Sequence, residues 1–140
     1  MEGCLSNRPM ECHSLIFAGF GFRNNTDLDC FLELLDLMSK KYKEEGELVA
    51  ISTIAQKARY PVFHMLSKET SLKVIPLDIN DLIRQNTISF SKLSMQRYQT
   101  GSLAEASALA AAGKNSKLLG CRIISKKRMA TCAFAKGVSA

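Results

Sequence analysis

The sequence predicts a single three-layer α/β/α domain with a mixed, mostly parallel sheet and a C-terminal β-hairpin. Short apolar segments alternate with helical patterns along residues 13–112, as strands and helices alternate around a parallel sheet. Two later apolar segments, 118–124 and 130–136, flank a short polar stretch, which is typical of a hairpin and of an antiparallel edge. We expect one domain over residues 1–140, with residues 1–13 forming a loosely ordered N-terminal segment.

Each element follows from a local pattern. Residues 13–23, HSLIFAGFGFR, form an apolar run ending in glycines, which indicates a buried strand followed by a turn that exposes backbone. In residues 24–46, apolar side chains recur at spacings of three and four, which predicts an amphipathic helix capped by Asn25 or Thr26 and ended by Gly46. The other predicted elements are strands at 47–53 and 72–77, short helices at 60–70 and 78–86, a loop with some strand or helical content at 87–99, and a helix at 102–112.

The composition is that of an ordinary folded protein. Hydrophobic residues make up 46% of the chain and charged residues 23%, which excludes the disordered and low-complexity classes. No apolar run reaches the roughly 18 residues that a membrane span requires. The five cysteines show no C-x-x-C spacing and no signal-peptide pattern is seen, so we expect a reduced, cytoplasmic protein with no membrane partner.

The positive charge is concentrated at one end of the sequence. The formal net charge is +6, but Glu105 is the last acid, and residues 106–140 carry seven lysines and arginines. Such a basic surface suits an anionic partner, which can be nucleic acid, phosphate or a ligand with several carboxylates. Nucleic acid is the less favoured of these, because few aromatic side chains interleave with the basic cluster and no helix-turn-helix is visible.

Two candidate anion-binding groups follow predicted strands. Gly19, Gly21 and Arg23 resemble half of a dinucleotide fingerprint and make a plausible anion cradle before a helix, although a tight turn alone would explain the glycines. Lys57 follows the second strand, and ligands of α/β sheets bind beyond the carboxyl ends of the strands. A lone loop lysine is more often a solvated charge, so Lys57 is a modest candidate.

The segment TGSLAEASALAAAG, residues 100–113, offers a third candidate. Ser102 and Glu105 have the spacing of a capping box, in which each side chain bonds the backbone N–H of the other residue. The alternative is that Thr100, Gly101 and Ser102 present free helix N–H groups to an anion. The alanines that follow favour close packing of the helix against the sheet.

No catalytic residues, metal or cofactor are predicted. Cys4, Cys12 and His13 fit none of the usual zinc frameworks, and His64 is expected to be a surface or packing residue. Neither a nucleophile paired with a histidine nor a pair of catalytic carboxylates stands out.

Four segments in order make the chain similar to a known family. They are the opening strand with GFGFR, the segment ISTIAQKARYP, the segment TGSLAEASALAAAG and the closing segment KLLGCRIISKKRMATCAFAKG. Together they resemble CobE and the C-terminal domain of CbiG, from cobalamin biosynthesis, over about Leu15 to Ala135. The chain departs from the family pattern at Tyr60, where an acid is usual, and in its more basic hairpin tip.

The resemblance implies that the protein binds or processes a carboxylate-rich corrin intermediate, with other enzymes of the pathway as further partners. On this hypothesis Arg23, Lys57, Lys126 and the nearby helix N–H groups hold ligand carboxylates, and Phe20 and Phe22 touch the ring face. Three alternatives stay open: a component of a CbiG-type lactone-opening hydrolase, a regulatory partner domain, and a basic nucleic-acid-binding module.

Overall fold

The structure is a computed structural model that describes residues 14–138, excluding the side chain of residue 138, so the predicted N-terminal segment 1–13 lies outside the described residues. The strands are β1 (Ser14–Phe22), β2 (Glu47–Ile54), β3 (Lys73–Leu77), β4 (Lys117–Leu118), β5 (Ile123–Ile124) and β6 (Ala130–Val138). The helices are α1 (Leu28–Lys41), α2 (Ala55–Ala58), α3 (Pro61–Thr70), α4 (Ile79–Ile83), α5 (Lys92–Tyr98) and α6 (Leu103–Ala112). None of these helices is long and apolar enough to cross a membrane.

The six strands form one mixed, open sheet. Its order is β3-β2-β1-β6-β4, and β5 pairs with the same long strand β6 as β4 does. The strands β1, β2 and β3 are parallel, whereas β6 runs antiparallel to β1, β4 and β5. The predicted α/β class is therefore confirmed, with the closing hairpin extending the parallel part of the sheet.

One face of the sheet is covered by α1 and α3 through aromatic packing. Phe20 and Phe22 of β1 contact Phe31 of α1 and Phe63 of α3, with ring centroids 4.9 to 5.9 Å apart. All four rings are buried in the larger hydrophobic core of the protein. Phe20 is completely inaccessible, so the prediction that it touches a ligand ring is wrong.

The other face is covered by α6, which lies almost directly on the backbone of the sheet. A Cβ atom added at Gly19 would overlap the carbonyl oxygen of Ala104 and lie 3.0 Å from the Cα of Ala108. A Cβ at Gly137 of β6 would lie 2.8 Å from the carbonyl oxygen of Ala112. The glycines of the sheet and the alanines of the helix are therefore two sides of one close contact, as the alanine-rich segment predicts.

The glycines of β1 do not form the predicted turn. The strand continues to Phe22, and α1 begins at Leu28 with Asp27 as its N-cap, whose carboxylate accepts from the N–H of Cys30 at 3.2 Å. The hydroxyl of Thr26 instead donates to the carbonyl oxygens of Arg23 and Met129. Asn25 and Thr26 were thus wrongly predicted as caps, because the tertiary bonds of the loop override local capping preference. The helix also ends at Lys41, before Gly46.

The closing hairpin is present, but its first arm is interrupted. The predicted strand 118–124 divides into β4 and β5, separated by residues 119–122, in which Gly120 has a φ of 110°. A Cβ at Gly120 would lie 2.5 Å from Oη of Tyr42, so this bend passes close to α1. The turn to β6 is closed by bonds between Ser125 and Arg128 and between Ser125 and Ala130.

Candidate functional site

A cleft of about 250 Å³ opens at the carboxyl end of β1. Four parts of the chain line it: the end of β1, the segment 91–98 that contains α5, the start of α6, and the region around the β5–β6 hairpin. The end of a central strand therefore meets three segments that are distant in sequence. This is the position at which ligands bind in open α/β sheets.

Four arginines line the cleft, and no aspartate or glutamate is among the described residues that line it. They are Arg23, Arg97, Arg122 and Arg128. None of them forms an ion pair with another residue in the range 14–138. Because like charges at short range repel, this arrangement is favourable only where an anion is bound or water screens the charges.

Apolar side chains lie among the arginines. Leu93 of α5 is 51% exposed and Ile124 of β5 is 41% exposed, and both line the cleft. Phe22, Leu103 and Met129 add further apolar surface deeper in the site. The cleft therefore combines guanidinium groups with exposed hydrocarbon, which suits an apolar molecule that carries several acidic groups.

Lys57 lies behind the cleft rather than in its lining. It is buried, and its Nζ donates to the carbonyl oxygen of Phe22 and to Oδ1 of Asn24 at 3.3 Å. The same Nζ lies 4.6 Å from the ring centroid of Phe22 and 5.4 Å from that of Tyr60, within cation–π range. Burial, followed by repulsion from Arg97, lowers the pKa of Lys57.

Lys57 thus bonds both neighbours of Arg23, at the backbone carbonyl of Phe22 and at the side chain of Asn24. The hydroxyl of Tyr60 adds a second donor to Oδ1 of Asn24, at 2.9 Å. The predicted strand-end lysine is therefore tied to the two neighbours of Arg23, and it does not line the cleft itself. The Tyr60 position that departs from the family pattern supplies part of this network.

Glu105 is completely buried, and its carboxylate holds two loops. Oε1 accepts from the backbone N–H groups of Ile88 and Ser89 at 2.7 and 2.8 Å. Oε2 accepts from the hydroxyl of Ser89 at 2.6 Å and from the N–H of Arg122 at 2.8 Å. Burial by itself raises the pKa of the Glu105 carboxyl, but the bonds from Ser89, Arg122 and Ile88 outweigh it, and the pKa is lowered.

Only half of the predicted capping box is present. The hydroxyl oxygen of Ser102 accepts from the N–H of Glu105 at 3.3 Å, as predicted. The prediction of the reciprocal bond from Ser102 N–H to the Glu105 side chain is wrong, because the carboxylate bonds residues 88, 89 and 122 instead. Local spacing could identify the cap but not the loops that compete for the carboxylate.

The start of α6 is covered by the preceding loop. Thr100, Gly101 and Ser102 are buried, and the carbonyl oxygen of Gly101 accepts from the N–H of Ser91 at 2.7 Å. A Cβ at Gly101 would lie 2.7 Å from Oγ1 of Thr87 and 2.8 Å from the carbonyl oxygen of Ser89. The helix start is thus beside the cleft but beneath the loop, and its role in binding an anion stays a prediction.

The other predicted residues divide between the cleft and its surroundings. Arg23 and Gly21 line the cleft, whereas Gly19 faces α6. Lys126 is exposed at the hairpin tip, outside the lining, and its N–H donates to Glu33 of α1 at 3.1 Å. The neighbouring Lys127 forms an ion pair with Asp27 at 3.6 Å. Of the basic tip, Arg128 is the residue that reaches the cleft.

Three of the four cleft arginines were not predicted as site residues. Arg122 and Arg128 belong to the basic C-terminal third, so their charge was noted, but nothing in the local pattern separated them from the lysines around them. Arg97 lies in the segment 87–99, whose apolar residues show no clear helical or strand periodicity. The signal that could have identified these residues was their type, since arginine is better suited than lysine to paired hydrogen bonds with carboxylates.

No metal centre is found in the described part of the chain. Within residues 14–138, no group of three histidine, cysteine, aspartate or glutamate side chains could hold a metal ion. Cys4, Cys12 and His13 lie outside the described residues, and His64 is exposed on α3. A second hollow, of about 470 Å³, lies between the ends of α4 and α6, but its Arg84 is already paired with Asp81 at 2.6 Å.

A comparison with protein families identifies the chain. The family described as the C-terminus of cobalamin synthesis protein G (CbiG_C) matches residues 16–135. The chain belongs to the CbiG_C family. Its match covers most of the chain, including every segment that lines the cleft. A search of curated proteins gives no significant match.

Solved structures share the CbiG_C fold of this chain. CobE, a protein from the cobalamin biosynthetic pathway, is 26% identical, with a TM-score of 0.77 over 96% of this chain and 99% of its own. The cobalamin biosynthesis protein chiG from Agrobacterium tumefaciens is 22% identical, with a TM-score of 0.67 over 89% and 99%. A protein described as a cobalamin biosynthesis protein G homolog from Sulfolobus solfataricus is 20% identical, with a TM-score of 0.59; the match covers 86% of this chain but 36% of that protein.

Proposed function

We propose that this CbiG_C protein binds a corrin-ring intermediate of cobalamin biosynthesis at the arginine-lined cleft. Membership of the family places the chain among cobalamin biosynthesis proteins. The observation that carries the finer proposal is the group of four arginines that form no ion pair within residues 14–138, in a cleft whose described lining contains no acid. Such a group is complementary to a ligand that presents several carboxylates.

The apolar part of the cleft supports a ring-shaped ligand rather than a small polyanion. Corrin intermediates are large, mostly apolar rings edged with acetate and propionate groups. Leu93 and Ile124 offer exposed hydrocarbon between the guanidinium groups, so ring and carboxylates find matching surfaces side by side. A small polyanion would leave that hydrocarbon in water and gain nothing from it.

The size of the cleft limits how the ligand binds. Pockets that enclose a drug-sized molecule usually measure about 300 to 1,000 Å³, and this cleft, at about 250 Å³, lies below that range. We therefore propose that it accepts one edge of the ring with its carboxylates. The remainder of the ring extends over the cleft mouth beside α5, where Leu93 is exposed.

Binding is favoured over catalysis by the chemistry of the lining. The cleft offers hydroxyl groups from Ser91, Ser94, Tyr98 and Thr131, together with guanidinium groups. Among the described residues that line it, none offers an imidazole or carboxylate that could serve as a general base for opening a lactone. A role in holding an intermediate and passing it to another enzyme of the pathway therefore fits better than a role as the hydrolase itself.

The proposal is tested by titrating the purified protein with hydrogenobyrinic acid, a metal-free corrin with free carboxylates, and following its absorption spectrum. We expect saturable binding that weakens as salt is raised, because the arginine contacts are partly exposed to solvent. A generic DNA duplex titrated under the same conditions measures the alternative of nucleic-acid binding.

Two results would overturn the proposal. One is the absence of any spectral change or binding heat with the corrin. The other is tighter, steeply salt-dependent binding to DNA, which would identify the basic surface as a phosphate-binding surface.

A further inference from the structure

Glu105 joins the two loops that form much of the cleft. It projects from the first turn of α6 and accepts four hydrogen bonds, from Ile88, Ser89 (two) and Arg122. No cation neutralises it within the described residues 14–138, so these bonds alone compensate for its burial. A carboxylate that is both buried and bound in this way fixes its partners firmly.

Each bond leads to one of two walls of the cleft, the segment 91–98 and the region around Arg122. Ser89 lies two residues before Ser91, the first cleft residue of the segment that also contributes Leu93 and Arg97. Arg122, whose N–H bonds the carboxylate, is itself one of the four cleft arginines. A displacement of the carboxylate would therefore break the bonds to both walls together.

Of the two walls, the segment 88–98 lies mostly at the surface, and besides Glu105 it is held by the bond from the N–H of Ser91 to the carbonyl oxygen of Gly101. Arg122 adjoins β5, which pairs with β6. α5 has no buried residue, and Ile88 and Phe90 just before it are about two-thirds exposed, at 65% and 66%. α6, in contrast, is buried from Leu103 to Leu109 and lies on the backbone of β1. The position of an exposed segment with few buried contacts depends strongly on the bonds that tie it to a buried element.

We propose that Glu105 is a positioning residue that sets the places of Arg122 and of the segment 91–98, and thereby preorganises the cleft for its ligand. The ligand part of this inference rests on the proposed function. The position of the two walls is a property of the protein alone and can be measured without a ligand. Glu105 does not line the cleft, so it acts only through the residues that it holds.

Glu105→Gln separates the two connections. The amide oxygen of glutamine can still accept from the N–H groups of Ile88 and Ser89, and the hydroxyl of Ser89 can rotate to accept from the new amide. The amide nitrogen, however, would face the N–H of Arg122, donor against donor. Glu105→Ala removes both connections.

The experiment measures amide hydrogen exchange by NMR in the full chain, without ligand, together with affinity for hydrogenobyrinic acid. In Glu105→Gln we expect exchange at Arg122 to accelerate by at least about tenfold, as for loss of a bond to a charged group, with a smaller change at Ile88 and Ser89. In Glu105→Ala all three should accelerate. Affinity should fall about tenfold in Glu105→Ala and less in Glu105→Gln.

Leu66→Ala is the control for general destabilisation, because Leu66 is completely buried in the core of the opposite face. Under conditions in which every variant stays folded, this control should leave the affinity and the exchange rates at 88, 89 and 122 unchanged. Exchange that stays slow at Arg122 in both Glu105 variants would overturn the inference. Unchanged affinity of the Glu105 variants despite faster exchange would also overturn it, and so would a loss of affinity in Leu66→Ala equal to that in Glu105→Ala. If the wild-type protein binds no corrin, the proposed function fails, and the exchange rates alone decide whether Glu105 positions the walls.

Discussion

Gly19 of β1 lies directly beneath Ala104 of α6, and the missing side chain of the glycine is what allows the carbonyl oxygen of the alanine to approach the strand. Gly21, two residues further along the same face, is less crowded: a Cβ there would lie 3.0 Å from Oγ1 of Thr131 and 3.5 Å from Cβ of Leu103. An added side chain would therefore meet the backbone of α6 at Gly19 and first the movable side chain of Thr131 at Gly21.

We predict that Gly19→Ala lowers the free energy of unfolding by about 3 kcal/mol or more, because the added methyl meets rigid backbone and must displace α6. Gly21→Ala is the matched control and should lower it by less than about 1 kcal/mol, since Thr131 can change rotamer. Urea denaturation of the two variants and the wild type measures both values. Equal losses would contradict the direct packing of α6 on Gly19.

Glu105 gives a prediction for acid stability. Its hydrogen bonds lower its pKa in the folded protein, so the folded state favours the ionised form. The stabilisation is complete above the ordinary glutamate pKa of 4.5 and is lost as the pH falls through the lower pKa of the folded protein. We predict that Glu105→Gln is less stable than the wild type by about 2 kcal/mol at pH 7, and that this difference shrinks below pH 4.5.

Urea denaturation at a series of pH values between 7 and 3 measures that difference. Glu44→Gln, at an exposed position after α1, is the control and should differ little from the wild type throughout. A difference between wild type and Glu105→Gln that stays constant through the acid range would show that the charge of Glu105 does not contribute.

Lys57 gives the corresponding prediction at alkaline pH. Burial and the nearby Arg97 lower its pKa, so the folded protein gives up this proton before the unfolded chain does. The unfavourable effect of the buried charge is therefore complete at neutral pH and is relieved as the pH rises towards 10.5, the ordinary lysine value. We predict that the stability of the wild type relative to Lys57→Met increases over this alkaline range.

The measurement is the free energy of unfolding of both proteins from pH 7 to pH 10.5, the ordinary pKa of lysine. Lys68→Met, at an exposed site on α3, is the control, and its difference from the wild type should stay nearly constant. A relative stability of the wild type that falls with rising pH would contradict the lowered pKa of Lys57.

The cleft arginines give a prediction for affinity. Because Arg97 and Arg122 line the cleft on different segments, each should contact a different carboxylate of the ligand. We predict that Arg97→Gln and Arg122→Gln each weaken binding of hydrogenobyrinic acid about three- to tenfold, the range expected for partly exposed charged contacts. The double variant should lose roughly the product of the two factors.

Isothermal titration calorimetry at two salt concentrations measures these affinities. Arg84→Gln removes an arginine that is paired with Asp81 in the other hollow, and it should bind as the wild type does. An equal loss in Arg84→Gln would mean that the total charge of the protein, and not the cleft, attracts the ligand.

Much of the fold was predicted from the sequence, because its signals are local. The apolar stripe in residues 28–42 and the apolar strands predicted at 47–53 and 72–77 can be recognised without any long-range contact. The alanine-rich helix was predicted to pack closely, and it does. The errors fell where a distant partner decides the structure: the glycines of β1 stay in the strand because α6 requires them, and Asp27 replaces Thr26 as cap because Thr26 bonds Met129.

The sequence by itself determined the fold class, the family and the basic character of the C-terminal third, since periodicity, motif order and charge are all properties of neighbouring residues. Only the tertiary structure decided that Arg23, Arg97, Arg122 and Arg128 meet in one cleft while Lys126 stays outside its lining. The tertiary structure also turned Glu105 from half of a capping box into the link between residues 88, 89 and 122. The physical reason is that a side chain bonds whichever partner the folded chain brings near, and sequence separation carries no information on that distance.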